Sequence, residues 1–168
     1  MNKRDHVMNA ILVGIGLGAL VDPSGGESTA QAMLMIGVPV LLGALVPDID
    51  TVMGDHRKTF HNLPVLVGFV AFPHAFGNLQ YVWIGIVTHY VLDVAGNTRG
   101  IAVFYPLLNR EYGLPIGVPA NSHAADVVTL LITGAELALA MAILYGLENG
   151  WFQTIPTAID AVRPVLGL

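Results

Sequence analysis

Residues 32–46, AMLMIGVPVLLGALV, form an almost unbroken apolar run, and Pro47-Asp48-Ile49-Asp50 follows it directly. Two carboxylates beside a membrane-like segment carry a large desolvation cost unless water, a partner or a cation compensates them. The run therefore predicts a membrane helix, and the aspartate pair marks one end of that helix as a candidate functional site.

The composition places the whole chain in the same class. Of its 168 residues, 54% are hydrophobic and 11% are charged, whereas roughly a quarter of the residues in a soluble domain are charged. No linker, low-complexity tract or repeat divides the chain, so a single membrane-embedded domain over residues 1–168 is expected. A net charge of -5 without a basic stretch argues against nucleic-acid binding. With no cysteine, any metal would have to use nitrogen and oxygen ligands.

Apolar segments bounded by turn and cap residues predict an all-α fold, an integral membrane bundle of about five helices. The predicted helices are residues 5–21, 29–46, 63–76, 79–94 and 124–147. Only the last reaches the roughly 20 residues that span a bilayer upright. The first apolar segment lacks a small-residue cleavage pattern, so it is expected to be a retained helix. Residues 148–168 are left open, with a peripheral tail carrying Trp151 and Phe152 near the interface as one alternative.

The basic residues predict an orientation. If the N-terminus is cytoplasmic and every helix crosses, six of the seven basic residues fall on the cytoplasmic side and only Arg163 falls outside. The turns on the other side, residues 22–28 and 73–78, contain no lysine or arginine. By the positive-inside rule this predicts a multi-pass protein of the inner (cytoplasmic) membrane.

The same threading gathers histidines and carboxylates at the cytoplasmic end of the bundle. These candidates are His6, Asp48, Asp50, His61, His89, Asp93, His123 and Asp126. His89 and Asp93 are four residues apart and share a helix face, so they could direct two ligands at one ion. Imidazole and carboxylate ligands suit zinc, manganese or iron. His56 and His74 are not expected to be ligands, and Glu136, in the middle of the last helix, has no assigned role.

Each candidate also has an explanation without a metal. Asp48 and Asp50 could form a helix-ending turn after Pro47, and His61 with Asn62 could cap the next helix. His6 could be an interfacial residue. The pair His89 and Asp93 could serve packing specificity. His123 and Asp126 lie at a helix N-terminus, where the dipole alone favours an aspartate.

Several of these motifs together resemble a known family. In order, they are His6, Leu45-Val46-Pro47-Asp48-Ile49-Asp50, residues 56–62 (HRKTFHN), Thr88-His89 with Asp93, Gly96 and Tyr105-Pro106-Leu107. Over residues 6 to 110 the chain resembles the YdjM-like family of inner-membrane-associated, metal-dependent hydrolases, which is distantly similar to zinc-dependent phospholipase C and single-strand nucleases. The resemblance implies that Asp48, Asp50, His61, His89 and Asp93 are metal ligands, with His6 as a further one. Lys58 and Asn62 depart from the glycine and serine of many relatives.

The function expected from these observations is hydrolysis of a phosphoester in a lipid or lipid-linked substrate by metal-activated water. Zinc is the first choice of divalent metal, with manganese or iron as alternatives. Asp48 or Asp50 could act as general base, and Arg57 could clamp a phosphate because its planar fork suits phosphoryl oxygens. The alternatives are a metal-binding or transport protein without hydrolytic activity, and a structural membrane scaffold. No oligomeric state is predicted.

Overall fold

A computed structural model describes residues 1–150. This part of the chain is helical and contains no strand, which confirms the predicted all-α bundle. Its helices are α1 (Lys3–Val21), α2 (Gly26–Leu45), a 3-10 turn (Pro47–Ile49), α3 (Asp50–Met53), α4 (Leu63–Phe76), α5 (Val82–Gly96) and α6 (His123–Glu148). The tail suggested beyond these helices, with Trp151 and Phe152, lies outside the described residues.

Three segments are long and apolar enough to cross a membrane: Lys3–Val21, Gly26–Met53 and His123–Glu148. The expectation that only the last helix has this length was therefore wrong. The first helix begins at Lys3 because Asn2 and Asp5 form a capping box. The second begins at Gly26, directly after Gly25 with a positive φ of 81°. By contrast, α4 and α5 have 14 and 15 residues, a length of about 21 to 23 Å at 1.5 Å per residue.

Glycines allow the first helices to pack closely. A Cβ added at Gly14 of α1 would meet the Cα of Gly37 of α2 at 2.5 Å. At the crossing of α2 and α5, a Cβ added at Gly43 would collide with the carbonyl of Val82, and one added at Gly85 with the carbonyl of Val40. Small residues at such crossings are typical of membrane helix pairs, because they let the backbones approach. The crossing brings the end of α2 against the first turn of α5.

A polar contact joins α1 to α6 within the apolar part of the bundle. Asn9 donates from Nδ2 to Thr133 Oγ1 at 2.9 Å and to Glu136 Oε2 at 2.7 Å. Asn9 and Thr133 are buried. Glu136, which had no assigned role, thus has a hydrogen-bond partner on the first helix.

The long segment between α5 and α6 folds back under one end of the bundle. Ile101 and Ala102 in this segment are fully buried. Ala102 donates its backbone N–H to the carbonyl of Arg57, and the carbonyl of Val103 accepts from Leu63 at the start of α4. These contacts fix the residues 54–62 that connect α3 to α4, which carry two of the histidines.

Candidate metal centre

Histidine and aspartate side chains from four parts of the fold meet at one end of the bundle, as predicted. His6 comes from α1, the two aspartates from the turn after α2, His61 from the residue before the cap of α4, and the last pair from α5. The side chains of His6, Asp50, His61, His89 and Asp93 are all buried, whereas Asp48 is partly exposed. The members of this His/Asp cluster are His6, Asp48, Asp50, His56, His61, His89 and Asp93.

Three donor atoms converge at the centre of the cluster. Nε2 of His61 lies 3.1 Å from Nε2 of His89. Oδ2 of Asp93 lies 3.5 Å from the first nitrogen and 3.7 Å from the second. In a tetrahedral zinc site with bonds of 2.0 to 2.1 Å, neighbouring donor atoms are about 3.3 Å apart. The spacing of these three atoms therefore fits one face of a tetrahedral zinc site.

Hydrogen bonds on the far side of each imidazole determine which nitrogen faces this point. Nδ1 of His89 lies 2.7 Å from the carbonyl oxygen of Ala44, which can only accept, so Nδ1 carries the proton. Nδ1 of His61 lies 2.7 Å from Oδ2 of Asp50, a carboxylate that favours the same tautomer. Both Nε2 atoms then present lone pairs, as metal-binding histidines with such outer partners do. Two lone pairs 3.1 Å apart repel each other unless a proton or a cation lies between them.

The contact between Ala44 and His89 depends on how α2 ends. The last carbonyls of a helix have no partner within it, and α2 ends at Leu45. The glycine crossing described above lies one residue before Ala44 on α2 and one turn before His89 on α5. Close packing of the two backbones is thus what lets a main-chain carbonyl orient the imidazole.

A second group of possible donors is formed by His6, His89 and Asp93, whose ligand atoms all lie within 4.8 Å of one another. The ring of His6 stacks on that of His89 at 3.6 Å between centroids, and its Nε2 lies 3.3 Å from Oδ1 of Asp93. That oxygen also accepts from the Met1 amino group at 2.9 Å. Nδ1 of His6 is buried without a hydrogen-bond partner among the described residues.

A third group of possible donors contains His56, which is not among the ligands expected from the sequence. Asp48, His56 and His61 place ligand atoms within 4.8 Å of one another. His56 also bonds through Nδ1 to Oδ1 of Asp50 at 2.8 Å. The one available signal was the position of His56, five residues before His61 on the same short connection.

Asp50 lies behind the imidazoles. Its two carboxylate oxygens contact Nδ1 of His56 and Nδ1 of His61. This arrangement suits a carboxylate that orients and polarises metal-binding histidines. Asp48, by contrast, places Oδ1 3.8 Å from Nε2 of His89 at the exposed side of the cluster.

Arg57 is held against the backbone of the long segment. Its Nη1 donates to the carbonyl of Arg99 at 2.7 Å and to that of Gly100 at 3.3 Å. Arg99 in turn donates two hydrogen bonds to Glu111, which raise the pKa of its guanidinium. These contacts favour a role of Arg57 in fixing the loop before His61, and they use only Nη1 of its guanidinium. The phosphate clamp stays a prediction.

The remaining candidates lie away from the cluster. His123 is exposed and lines a separate cavity with Asp5 and Asp126 at the start of α6. Asp126 pairs with Arg4 at 3.2 Å, an exposed contact. His74 is in the last turn of α4, at the opposite end of that helix from His61. Of the metal ligands expected from the sequence, the structure thus brings all but His123 together.

The described residues define a class: an all-helical membrane protein with a buried His/Asp cluster at one end of the bundle. Comparison with family models assigns the chain within that class. The model described as YdjM inner membrane protein matches residues 1–155, so the chain belongs to this family. No curated protein and no solved structure matches the chain.

Proposed function

We propose that this protein is a membrane-bound, metal-dependent hydrolase that cleaves a phosphoester bond in a lipid or lipid-linked substrate. The observation that carries the proposal is the facing pair of Nε2 atoms of His61 and His89, 3.1 Å apart, with Asp93 beside them. The outer partners Asp50 and Ala44 turn both lone pairs towards one point. A divalent cation, with zinc as the first choice, is the group that satisfies this arrangement.

The residues divide the work of such a site. His61, His89 and Asp93 would hold the cation, and Asp48 would complete the donor set or accept a proton as general base. When bound, the cation supplies Lewis acidity towards phosphoryl oxygens and lowers the pKa of a coordinated water towards neutrality. Asp50 keeps two imidazoles in the orientation that the donor set needs. His6, stacked on His89, would contribute a further nitrogen.

The location of the cluster supports a membrane substrate. It lies at the ends of α1, α2 and α5, and exposed apolar side chains surround its open side, among them Ile49 and Val52. We propose that this end faces the cytoplasm, because the basic residues of the described chain lie near it and the opposite turns have none. A substrate with a hydrocarbon part and a phosphoester head would reach the cluster without leaving the bilayer.

Metal content and hydrolysis together test the proposal. Protein purified in detergent is expected to contain zinc, or another divalent metal, in proportion to the chain by elemental analysis. His89→Ala should lose that metal, whereas His74→Ala, at the far end of α4, should keep it. With zinc or manganese added, the wild type should release phosphate or a phosphorylated headgroup from lipid in vesicles.

Each failure has a separate meaning. A wild-type protein without metal would contradict the proposed site and favour a structural scaffold. Bound metal without hydrolysis of any lipid phosphoester would favour the metal-binding or transport alternative. Transport sites tend to lie near the bilayer midplane on broken helices, whereas this cluster lies at one end of the bundle.

A further inference from the structure

A groove opens beside the His/Asp cluster, between the start of α1 and the turn that follows α2. Its volume is about 470 Å³. Leu42, Leu45, Ile49 and Val52 form its apolar wall, and Lys3 and Asp48 are its charged residues. Asp48 belongs to both the groove and the cluster, since its Oδ1 lies 3.8 Å from Nε2 of His89. The groove is therefore continuous with the candidate metal centre.

The apolar wall is unusually exposed for the polar end of a bundle. Val52 is 85% exposed, Leu42 53% and Ile49 41%. Large apolar side chains grouped on a surface mark an interaction site. Here they belong to the Gly26–Met53 segment, which is long and apolar enough to cross a membrane, so lipid is the apolar surrounding that we expect this face to meet.

We propose that this groove binds the hydrocarbon chain of a lipid phosphate ester and that Lys3 binds its phosphate next to the cluster. The inference rests on the proposed function and names the part of the molecule that selects its substrate. The occupant is a membrane lipid, because a free phosphate would leave the apolar wall unused.

Charge complementarity identifies the headgroup. Lys3 is exposed and forms no ion pair within residues 1–150, whereas its neighbour Arg4 pairs with Asp126. A lysine at this depth can extend its ammonium to the interface and meet a phosphate there. A lipid with an uncharged head would offer that ammonium no negative charge, so an anionic head is preferred.

Binding of a ligand that cannot be hydrolysed tests the groove apart from catalysis. Hexadecylphosphonate carries the chain and the anionic head, and methylphosphonate carries the same head without the chain. The metal-loaded wild type in neutral detergent should bind the first more tightly than the second. Leu42→Trp, which fills the groove, should weaken binding of hexadecylphosphonate roughly tenfold, a loss of about 1.4 kcal/mol, and leave methylphosphonate unaffected.

Two further variants complete the design. Leu131→Trp is the matched control, because Leu131 is exposed on α6 and does not line this groove. It should bind both ligands as the wild type does. Lys3→Met should weaken both ligands, because it removes a contact to the head they share. Unchanged metal content in every variant shows that the bundle is intact.

The outcomes separate the two proposals. If Leu42→Trp and the wild type bind hexadecylphosphonate equally well, the groove does not bind the hydrocarbon chain. The same conclusion follows if Leu131→Trp loses as much affinity as Leu42→Trp. If the groove variants lose binding but the wild type hydrolyses no lipid phosphoester, the inference stands and the proposed hydrolase fails. If the wild type hydrolyses lipid and Leu42→Trp does so equally well, the hydrolase stands and the groove fails.

Discussion

Asp50 is a buried carboxylate whose two oxygens each contact a different imidazole. From the sequence, Asp48 and Asp50 are both predicted to be metal ligands at the end of one helix. In the folded chain their side chains point in different directions, because Asp48 lies in the 3-10 turn and Asp50 begins the short α3. Asp48 reaches the open side of the cluster, and Asp50 supports its histidines from behind.

Replacing Asp50 with asparagine tests this division. The amide keeps the size of the side chain but can accept with only one of its two end atoms, so one imidazole loses its orienting partner. Loss of such an outer partner lowers metal affinity about 10- to 100-fold. Competition with a chromogenic chelator would measure the change. Asp55→Asn, in the exposed loop after α3, is the control and should keep wild-type affinity.

An Asp50→Asn variant that binds metal as tightly as the wild type would show that the carboxylate has no part in holding the ion. Circular dichroism would identify a variant that loses metal only because it unfolds, since its helical signal would decrease. The retained size and burial of the side chain favour an intact bundle.

The residues that sequence analysis placed correctly are those whose position follows from a helix. His89 and Asp93 are one turn apart on their helix, and His6 lies near the start of the first helix. If successive helices cross the membrane in opposite directions, these residues meet at one end. His56 was missed because its position depends on a loop. Asp55 donates its backbone N–H to Thr59 Oγ1, and its carbonyl accepts from the backbone N–H groups of Lys58 and Thr59, so this loop turns back on itself. No spacing rule predicts that turn.

At the scale of helices, the crossing of α2 and α5 connects packing to the candidate metal centre. Gly43 and Gly85 leave no room for a Cβ, and the carbonyl of Ala44 reaches His89 only because the backbones touch there. Glycine at a membrane helix crossing lets two backbones approach closely. In this protein it sets the distance between an imidazole and the main-chain oxygen that orients it.

Gly85→Ala is therefore expected to weaken metal binding although residue 85 contacts no metal ligand. The added methyl group would collide with the carbonyl of Val40 and push α2 and α5 apart, which breaks the hydrogen bond from His89 to Ala44. We expect a loss of metal affinity on the order of tenfold, as for other outer-partner changes. Gly134→Ala is the matched control, because a Cβ there meets nothing within 4 Å. Equal affinity in both variants would contradict the link between the crossing and the site.

The contact of Asn9 with Thr133 and Glu136 holds α1, and with it His6, against α6. Asn9→Leu would leave the partly buried carboxylate of Glu136 without its donor. An unpaired buried polar group costs about 1 to 3 kcal/mol, so unfolding in detergent should require correspondingly less denaturant. Glu136→Gln keeps an oxygen that can accept from Asn9 and should cost less. A larger loss in Glu136→Gln than in Asn9→Leu would contradict the assignment.

Helix type and order were predictable, whereas helix length was not. Apolar runs and caps gave all five main helices, and α4 has the predicted ends. The predicted second helix began at Thr29, because Gly25, Gly26 and the polar residues after them resemble a turn. In the structure the helix already begins at Gly26. The hydroxyl of Thr29 accepts from the backbone N–H of Gly25 and donates to the carbonyl of Asp22, both in the preceding loop. A side chain that joins helix to loop in this way cannot be recognised from composition alone.

For the whole molecule, the open prediction is which side of the membrane the cluster faces. Six basic residues lie in the segments at the cluster end, whereas the turn between α1 and α2 has an aspartate, and the first turn of α2 a glutamate, but no lysine or arginine. By the positive-inside rule we expect the cluster to face the cytoplasm. The chain contains no cysteine, so one introduced thiol reports its own location without background.

Ser24→Cys lies in the turn between α1 and α2. It should react with a membrane-impermeant maleimide added to cells whose outer membrane is permeabilised and whose inner membrane is closed. Thr98→Cys, in the exposed start of the segment after α5, should react only after the inner membrane is permeabilised. The opposite pattern would invert the protein and expose the cluster to the outside. The groove beside Lys3 opens at the cluster end, so the same labelling decides which leaflet supplies the lipid. If only Ser24→Cys is labelled while the inner membrane is closed, the lipid comes from the cytoplasmic leaflet.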